Sequence, residues 1–279
     1  MNHELRPPIV GAALGDGFLE VLLPAVALFV CAAVYLYLVR QARRGNPVRG
    51  WSPWRVGSFM AGLLLLAVAL LPPVASIADG DFRGHMAQHM LVGMYAPPAL
   101  MLGAPVTLLL RALPTARARL LASLLHSGPV RLLTHPATAL LLATGGLAVL
   151  YFTPLYDITT ANPVGHGLLH VHFLLSGCLF AYVIIGPDPA PARPGVRMRL
   201  VYLGVAIAAH AVIAELMYGG FWVHVHAPIP QVQGGAEIMY YGGDVAELLL
   251  AAALVATWRP ERRARQTTAD QLAYTPART

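Results

Sequence analysis

Seven apolar runs, each about 20 residues or longer, divide this chain at 18–40, 54–78, 83–111, 136–155, 163–187, 198–219 and 236–258. A run of that length matches the hydrocarbon core of a bilayer as a tilted helix. Lipid offers no water to a backbone that is neither helical nor closed into a barrel. The expected fold is therefore an all-α membrane protein, a seven-transmembrane helix bundle. Composition agrees: 57% of residues are hydrophobic and 11% charged, with a mean hydropathy of +0.61, whereas about a quarter of a soluble domain is charged. The third run is the longest and contains Ala96-Pro97-Pro98 and Gly103-Ala104-Pro105. Proline removes a backbone donor, so the third span is expected to be kinked at Pro97/Pro98.

All 19 basic residues are arginine, and their positions assign a direction. Arg40, Arg43, Arg44, Arg49 and Arg55 follow the first span, and Arg111, Arg117, Arg119 and Arg131 follow the third. Arg193, Arg197 and Arg199 separate the fifth and sixth, and Arg259, Arg262, Arg263, Arg265 and Arg278 end the chain. Only Arg6 and Arg83 fall opposite. The positive-inside rule then places the N-terminus outside and the C-terminus in the cytoplasm. Three segments result: an outer N-terminal stretch 1–17, the membrane domain 18–258, and a cytoplasmic tail 259–279 whose polarity predicts disorder. Residues 117–133, with Arg on one side and Leu on the other, read as a helix on the inner surface. A sequence pI near 9.6 does not point to nucleic acid here, because the arginines encode topology. Cys31 and Cys178 lie mid-span without a CxxC, so neither a disulfide framework nor a thiolate metal site is expected. No basic stretch precedes the first apolar run, so no signal peptide is read. With no Lys, a retinal Schiff base is excluded.

Direction decides which side chains can meet. His85 and His89 open the third span at its outer end, and their i, i+4 spacing puts both imidazoles on one face. His166 and His170 repeat the pattern at the outer end of the fifth span. These four are the candidate metal ligands, since two imidazoles one turn apart suit a single ion. His210 on the sixth span and Asp244 on the seventh lie about 12 Å below the outer end. Glu237, Tyr240, Asp244 and Glu247 share one face of the seventh span. Met86, Met90 and Met94 run beside the first histidine pair, and His224 and His226 occupy an outer loop. Accessory roles are therefore expected for Asp244, His210, Glu237, Met86, Met90, His224 and His226. Imidazole and thioether together on one membrane face suit copper.

Plainer readings compete. An intramembrane His often makes a hydrogen bond between helices, worth about 0.6 to 2 kcal/mol, and this applies to His210 and His172. The methionines suit core packing, and the outer loop histidines suit solvation. Asp244 and Glu247 are harder to dismiss, because a carboxylate at depth costs several kcal/mol unless paired or used. Rival functions also stand: a haem-binding membrane protein with axial histidines, a metal-dependent intramembrane enzyme with a carboxylate base, or a non-metal scaffold. No HExxH supports the enzyme, and polar groups run out below His210 and Asp244, against a through-path for a transporter.

The third span is also recognisable as a string. His85-Met86-Ala87-Gln88-His89-Met90, followed by Ala96-Pro97-Pro98 and Leu102-Gly103-Ala104-Pro105, resembles the multi-pass bacterial cytochrome c oxidase assembly factor CtaG family. Pro154-Leu155-Tyr156-Asp157, His166 with His170, and Gly242-Gly243-Asp244 extend the resemblance over about residues 50–258. The resemblance implies a bacterial plasma-membrane assembly factor, not an enzyme. It would bind copper at the outer face and help deliver it to the catalytic subunit of a haem–copper oxidase, with a periplasmic copper donor upstream. The residues themselves point only to a metal site; the oxidase client comes from the resemblance.

Overall fold

The computed structural model describes residues 10–48 and 50–257, and the side chains of 21–48, 50–78 and 80–257. Among these residues all regular structure is helical. Six helices are long and apolar enough to cross a membrane: Val21–Gly45, Pro53–Leu70, Phe82–Ala112, Pro163–Ile184, Val196–Tyr218 and Ile229–Ala256. The fourth expected span is a shorter apolar helix, Pro136–Phe152. Of the expected N-terminal stretch, 1–9 lie outside the described residues and helix α1 (Val10–Gly45) already covers the rest. The tail 259–279 also lies outside them.

Proline accounts for several boundaries. Helix α2 (Pro53–Leu70) stops short of the expected 78 because Leu71, ahead of Pro72-Pro73, is extended at φ −113°, ψ 156°. A residue before proline is driven out of the helical region. The chain resumes as a separate helix, α3 (Val74–Gly80), packed on α4 (Phe82–Met90). The long third span runs from α4 through a π-helical turn, Leu91–Tyr95, into α5 (Ala96–Leu102) and α6 (Pro105–Ala112). The Pro97 and Pro98 rings would otherwise collide with the carbonyls four residues back. Those carbonyls belong to Gly93 and Met94, which lie in the wide turn. Helix continues through the prolines and ends at Gly103-Ala104, where Ala104 is left-handed at φ 54°. The buried carboxylate of Asp188 accepts from the backbone N–H of Val106 (3.1 Å) and Thr107 (2.7 Å), satisfying the exposed start of α6.

The expected surface helix 117–133 is two short helices, α7 (Thr115–Leu125) and α8 (Gly128–Leu133), neither of which buries a side chain. Pro136–Phe152 comprises α9 (Pro136–Leu140), a second π-helical turn (Leu141–Gly145) and α10 (Gly146–Phe152). Then follow α11 (Leu155–Thr160), α12 (Pro163–Ile184), α13 (Val196–Tyr218) and α14 (Ile229–Ala256). Helix α14 begins at Ile229 rather than 236. Proline beside the first turn needs no hydrogen-bond partner, and the Gln231 side chain accepts from Phe82 N–H at 3.2 Å.

Helices α4, α12 and α14 begin, and α2 and α13 end, at one end of the bundle, called here the His85 end. The arginine-bearing connections lie at the other. The main core is shared by α2, α4, α10, α12, α13 and α14, with Met86, Leu150, Tyr151, Phe173, Met217 and Met239 at its centre. Helix α1 lies at its edge, packing on it through Leu28 and Ala32 while most of its apolar surface stays exposed. It is pinned by Tyr35, whose hydroxyl donates to the Gly103 carbonyl at 2.8 Å and whose ring stacks on Phe59.

Candidate metal centre

Two helix starts set the phase of the histidines. Asp81 caps α4 by accepting from Arg83 N–H (2.8 Å) and pairs with its guanidinium (2.5 Å). That hydrogen bonding holds the Asp81 carboxyl below its ordinary range. Asn162 caps α12 by accepting from Gly165 N–H (2.7 Å), with Pro163 at the first helical position. Thus anchored, α4 turns His85, Gln88 and His89 inward, and α12 turns His166 and His170 toward them.

Three imidazoles meet at the His85 end. The His85 ring lies 6.0 Å from His166, at 28° between planes, and His166 lies 4.5 Å from His170. Phe82 (5.9 Å) and Tyr156 (5.0 Å, edge-on) wall the other sides of His85. Burial, with the neighbouring Asp157 charge, pushes the Tyr156 phenol up to about 12, so it stays a neutral hydroxyl. Gln88, which the sequence reading left out, organises the cluster. Its amide nitrogen donates to the Ala69 carbonyl (2.9 Å), so its oxygen is the atom 3.0 Å from His170 Nε2. An amide oxygen only accepts, so His170 carries its proton on Nε2 and presents a lone pair at Nδ1. The only hint of this in the sequence is that Gln88 shares a face with His85 at i, i+3.

His89 sits one turn deeper. Its ring packs edge-on against Phe173 (4.1 Å) and lines a cavity of about 70 Å³, together with His210 of α13 and Glu247 of α14. Both π-helical turns contribute walls, through Gly93 and Met94 and through Ala143 and Thr144. Helix α12 approaches the first turn so closely that any Cβ at Gly177 would strike the Gly93 carbonyl. A Cβ at Gly243 would likewise occupy the space of the His210 ring.

The remaining expected site residues lie elsewhere. Met86 and Met90 are buried in the core, Met86 taking a weak hydrogen bond from the Tyr151 hydroxyl at 3.9 Å. Asp244 is half-buried and does not line the cavity, whereas Glu247, one turn on, does. Glu237 is exposed, as is His172, whose ring lies against Gly146. His224 and His226 are exposed on the connection 219–228. That connection is extended, and side chains alternate along such a backbone. Val223, Val225 and Ala227 pack on the core, so the histidines between them face out. His226 Nδ1 is paired with the Asp157 carboxylate, and His224 N–H donates to the Tyr151 carbonyl at 3.0 Å.

What distinguishes the inward histidines is that their nitrogens lack partners. His85 Nε2, both nitrogens of His89, His166 Nε2 and His210 Nε2 are buried without a hydrogen bond. Leaving a polar group so costs about 1–3 kcal/mol each, a cost that a bound ligand removes. Among the described residues no three His, Cys, Asp or Glu side chains already close on one point.

The family described as cytochrome c oxidase caa3 assembly factor (Caa3_CtaG) matches residues 33–261. The chain belongs to this family. Caa3_CtaG is a family of cytochrome c oxidase assembly factors, and its match takes in every helix named above from α2 onward. Similar proteins include the uncharacterized protein ML1998 of Mycobacterium leprae (strain TN), 31% identical across 97% of this chain and 45% of its own length. Uncharacterized proteins Mb0105 of Mycobacterium bovis and MT0111 of Mycobacterium tuberculosis are each 30% identical across 94% of this chain and 42% of theirs. The chain thus spans less than half the length of these relatives. No solved structure matches this Caa3_CtaG chain.

Proposed function

We propose that this chain serves oxidase assembly by holding copper at the His85 end of the bundle and yielding it to the catalytic subunit of a haem–copper oxidase. In this reading the His85 end faces outward from the bacterial plasma membrane, all seven apolar helices span it, and a periplasmic donor supplies the ion. The role is carriage, not catalysis.

The carrying observation is the set of buried imidazole nitrogens without partners, at His85, His89 and His166, beside a His170 whose tautomer Gln88 defines. Two imidazoles on one tetrahedral ion, with metal–nitrogen distances of about 2.0–2.1 Å, place their ring centres about 5 Å apart. The His85–His166 and His166–His170 separations of 6.0 and 4.5 Å straddle that value. The His85 and His166 rings stack at 28°, so side-chain rotations would be needed to turn their nitrogens onto one ion, a motion that suits a carrier that grips and releases. Haem fits less well: organic ligands of that class need roughly 300 Å³ or more, against a cavity of about 70 Å³.

The test is elemental analysis of detergent-purified protein, loaded with Cu(I) and washed, beside a His85→Ala/His89→Ala/His166→Ala/His170→Ala variant. Near-stoichiometric copper in the first and little in the second is expected. Equal copper in both would place the ion elsewhere, and none in either would leave a scaffold.

A further inference from the structure

We propose that the cavity between His89, His210 and Glu247 is a second, deeper cation station, which takes a divalent first-row transition-metal ion. This extends the copper reading and rests on it for the end of the bundle from which ions enter; of the residues it uses, only His89 is shared with that reading.

The cavity wall sorts its polar groups into those already used and those left free. Ser176 donates to the Phe173 carbonyl at 3.2 Å, and Thr144 to the Leu140 carbonyl at 2.9 Å. Both nitrogens of His89 and Nε2 of His210 have no partner, although the two residues are only 3% exposed. Glu247 is 5% exposed and makes no hydrogen bond or ion pair with any described residue. Three helices thus deliver to the lining of one void two imidazoles with buried, unpartnered nitrogens and one carboxylate without a hydrogen bond among the described residues.

Size and charge select what enters. A void of about 70 Å³ holds an ion with a few waters, since one water needs on the order of 10–15 Å³ on this measure. It is far below the roughly 300 Å³ of organic ligand sites. The other walls are apolar, including Leu147, Phe180 and Leu250. In such surroundings a bare dication and a lone carboxylate are each costly, and pairing them offsets part of both costs. Imidazole accepts copper in either state, whereas the carboxylate, a hard oxygen ligand, favours a divalent ion at this station. All three line the void without converging on one point, so waters would complete the ion's shell. Both π-helical turns border this void, and such turns occur often at functional sites. His89 lies one turn, about 6 Å of rise, below His85, which connects the station to the imidazole cluster above.

Co²⁺ is a suitable probe, because its visible bands report nitrogen and oxygen ligation directly. The full chain carrying His85→Ala/His166→Ala/His170→Ala, which empties the upper cluster, should still bind stoichiometric Co²⁺ with those bands. Adding Glu247→Gln, similar in shape, should reduce Co²⁺ retention about tenfold or more. Ala206→Leu, which fills the void and removes no ligand, should do the same. Co²⁺ binding unchanged by both substitutions would overturn the station, as would its complete loss in the triple variant alone. Should the triple variant instead keep all the Cu(I) of the parent, the upper-cluster reading fails while the deeper station stands.

Discussion

Gln88 bridges the Ala69 carbonyl and His170, and in doing so decides which nitrogen of that imidazole is free. Groups that orient a ligand imidazole typically matter 10- to 100-fold in metal affinity. Gln88→Leu should therefore weaken copper retention against a competing chelator by at least about tenfold, while Gln88→Glu, which keeps an acceptor toward His170, should recover most of it. Equal losses in the two variants would mean that Gln88 acts by packing alone. At this scale the sequence was informative where spacing speaks and silent where it does not. The i, i+4 pairs His85/His89 and His166/His170 were legible because helical periodicity puts each pair on one face. Their division into a cluster and a deeper void was not, since that depends on the rotation of α13 and α14. The same limit explains why the structure brings Glu247, and not Asp244, to His210. Both carboxylates lie on one broad helix face, and a few tens of degrees separate cavity from helix flank.

Among the elements, the two π-helical turns carry most of what the sequence concealed. Hydrophobic periodicity marks a helix but not one extra residue within it, and the APP string suggested a kink rather than a widened turn before the prolines. The second turn, Leu141–Gly145, bears no proline, and only Gly145-Gly146 at its end departs from a regular helical string. Deleting Leu141, 68% exposed, should close the bulge into regular α-helix, keeping Pro136–Leu140 and Gly146–Phe152 in phase while withdrawing the Ala143–Thr144 wall from the void. Helical content by circular dichroism should hold, the melting temperature should fall, and Co²⁺ at the deeper station should be lost with Cu(I) at the upper cluster retained. Intact Co²⁺ binding after the deletion would show that the turn does not shape the void. Boundaries set by proline were partly legible: Pro72-Pro73 lay inside an apolar run that continued on hydropathy alone, so the break at Leu71 stayed hidden.

For the molecule as a whole, the positions of the arginines remain the strongest guide to orientation, and they yield a direct experiment. In a Cys31→Ser/Cys178→Ala background, Ala161→Cys lies at the His85 end and Gly128→Cys at the arginine end, both at exposed sites. A membrane-impermeant maleimide applied to intact cells should label the first and spare the second until the membrane is opened. The reverse pattern would put the histidine cluster in the cytoplasm and remove the periplasmic donor from the scheme. A last consequence concerns time rather than place. The connection 219–228 lies over Tyr151 and Asp157, fastened by His224 N–H and by the two contacts of His226, with three small apolar residues beneath. Hydrogen bonds at the water boundary break and re-form readily. If the His85 end holds copper as proposed, the dwell time of the ion would depend on how often this strap lifts, and two relatives with identical ligands would differ through the strap alone.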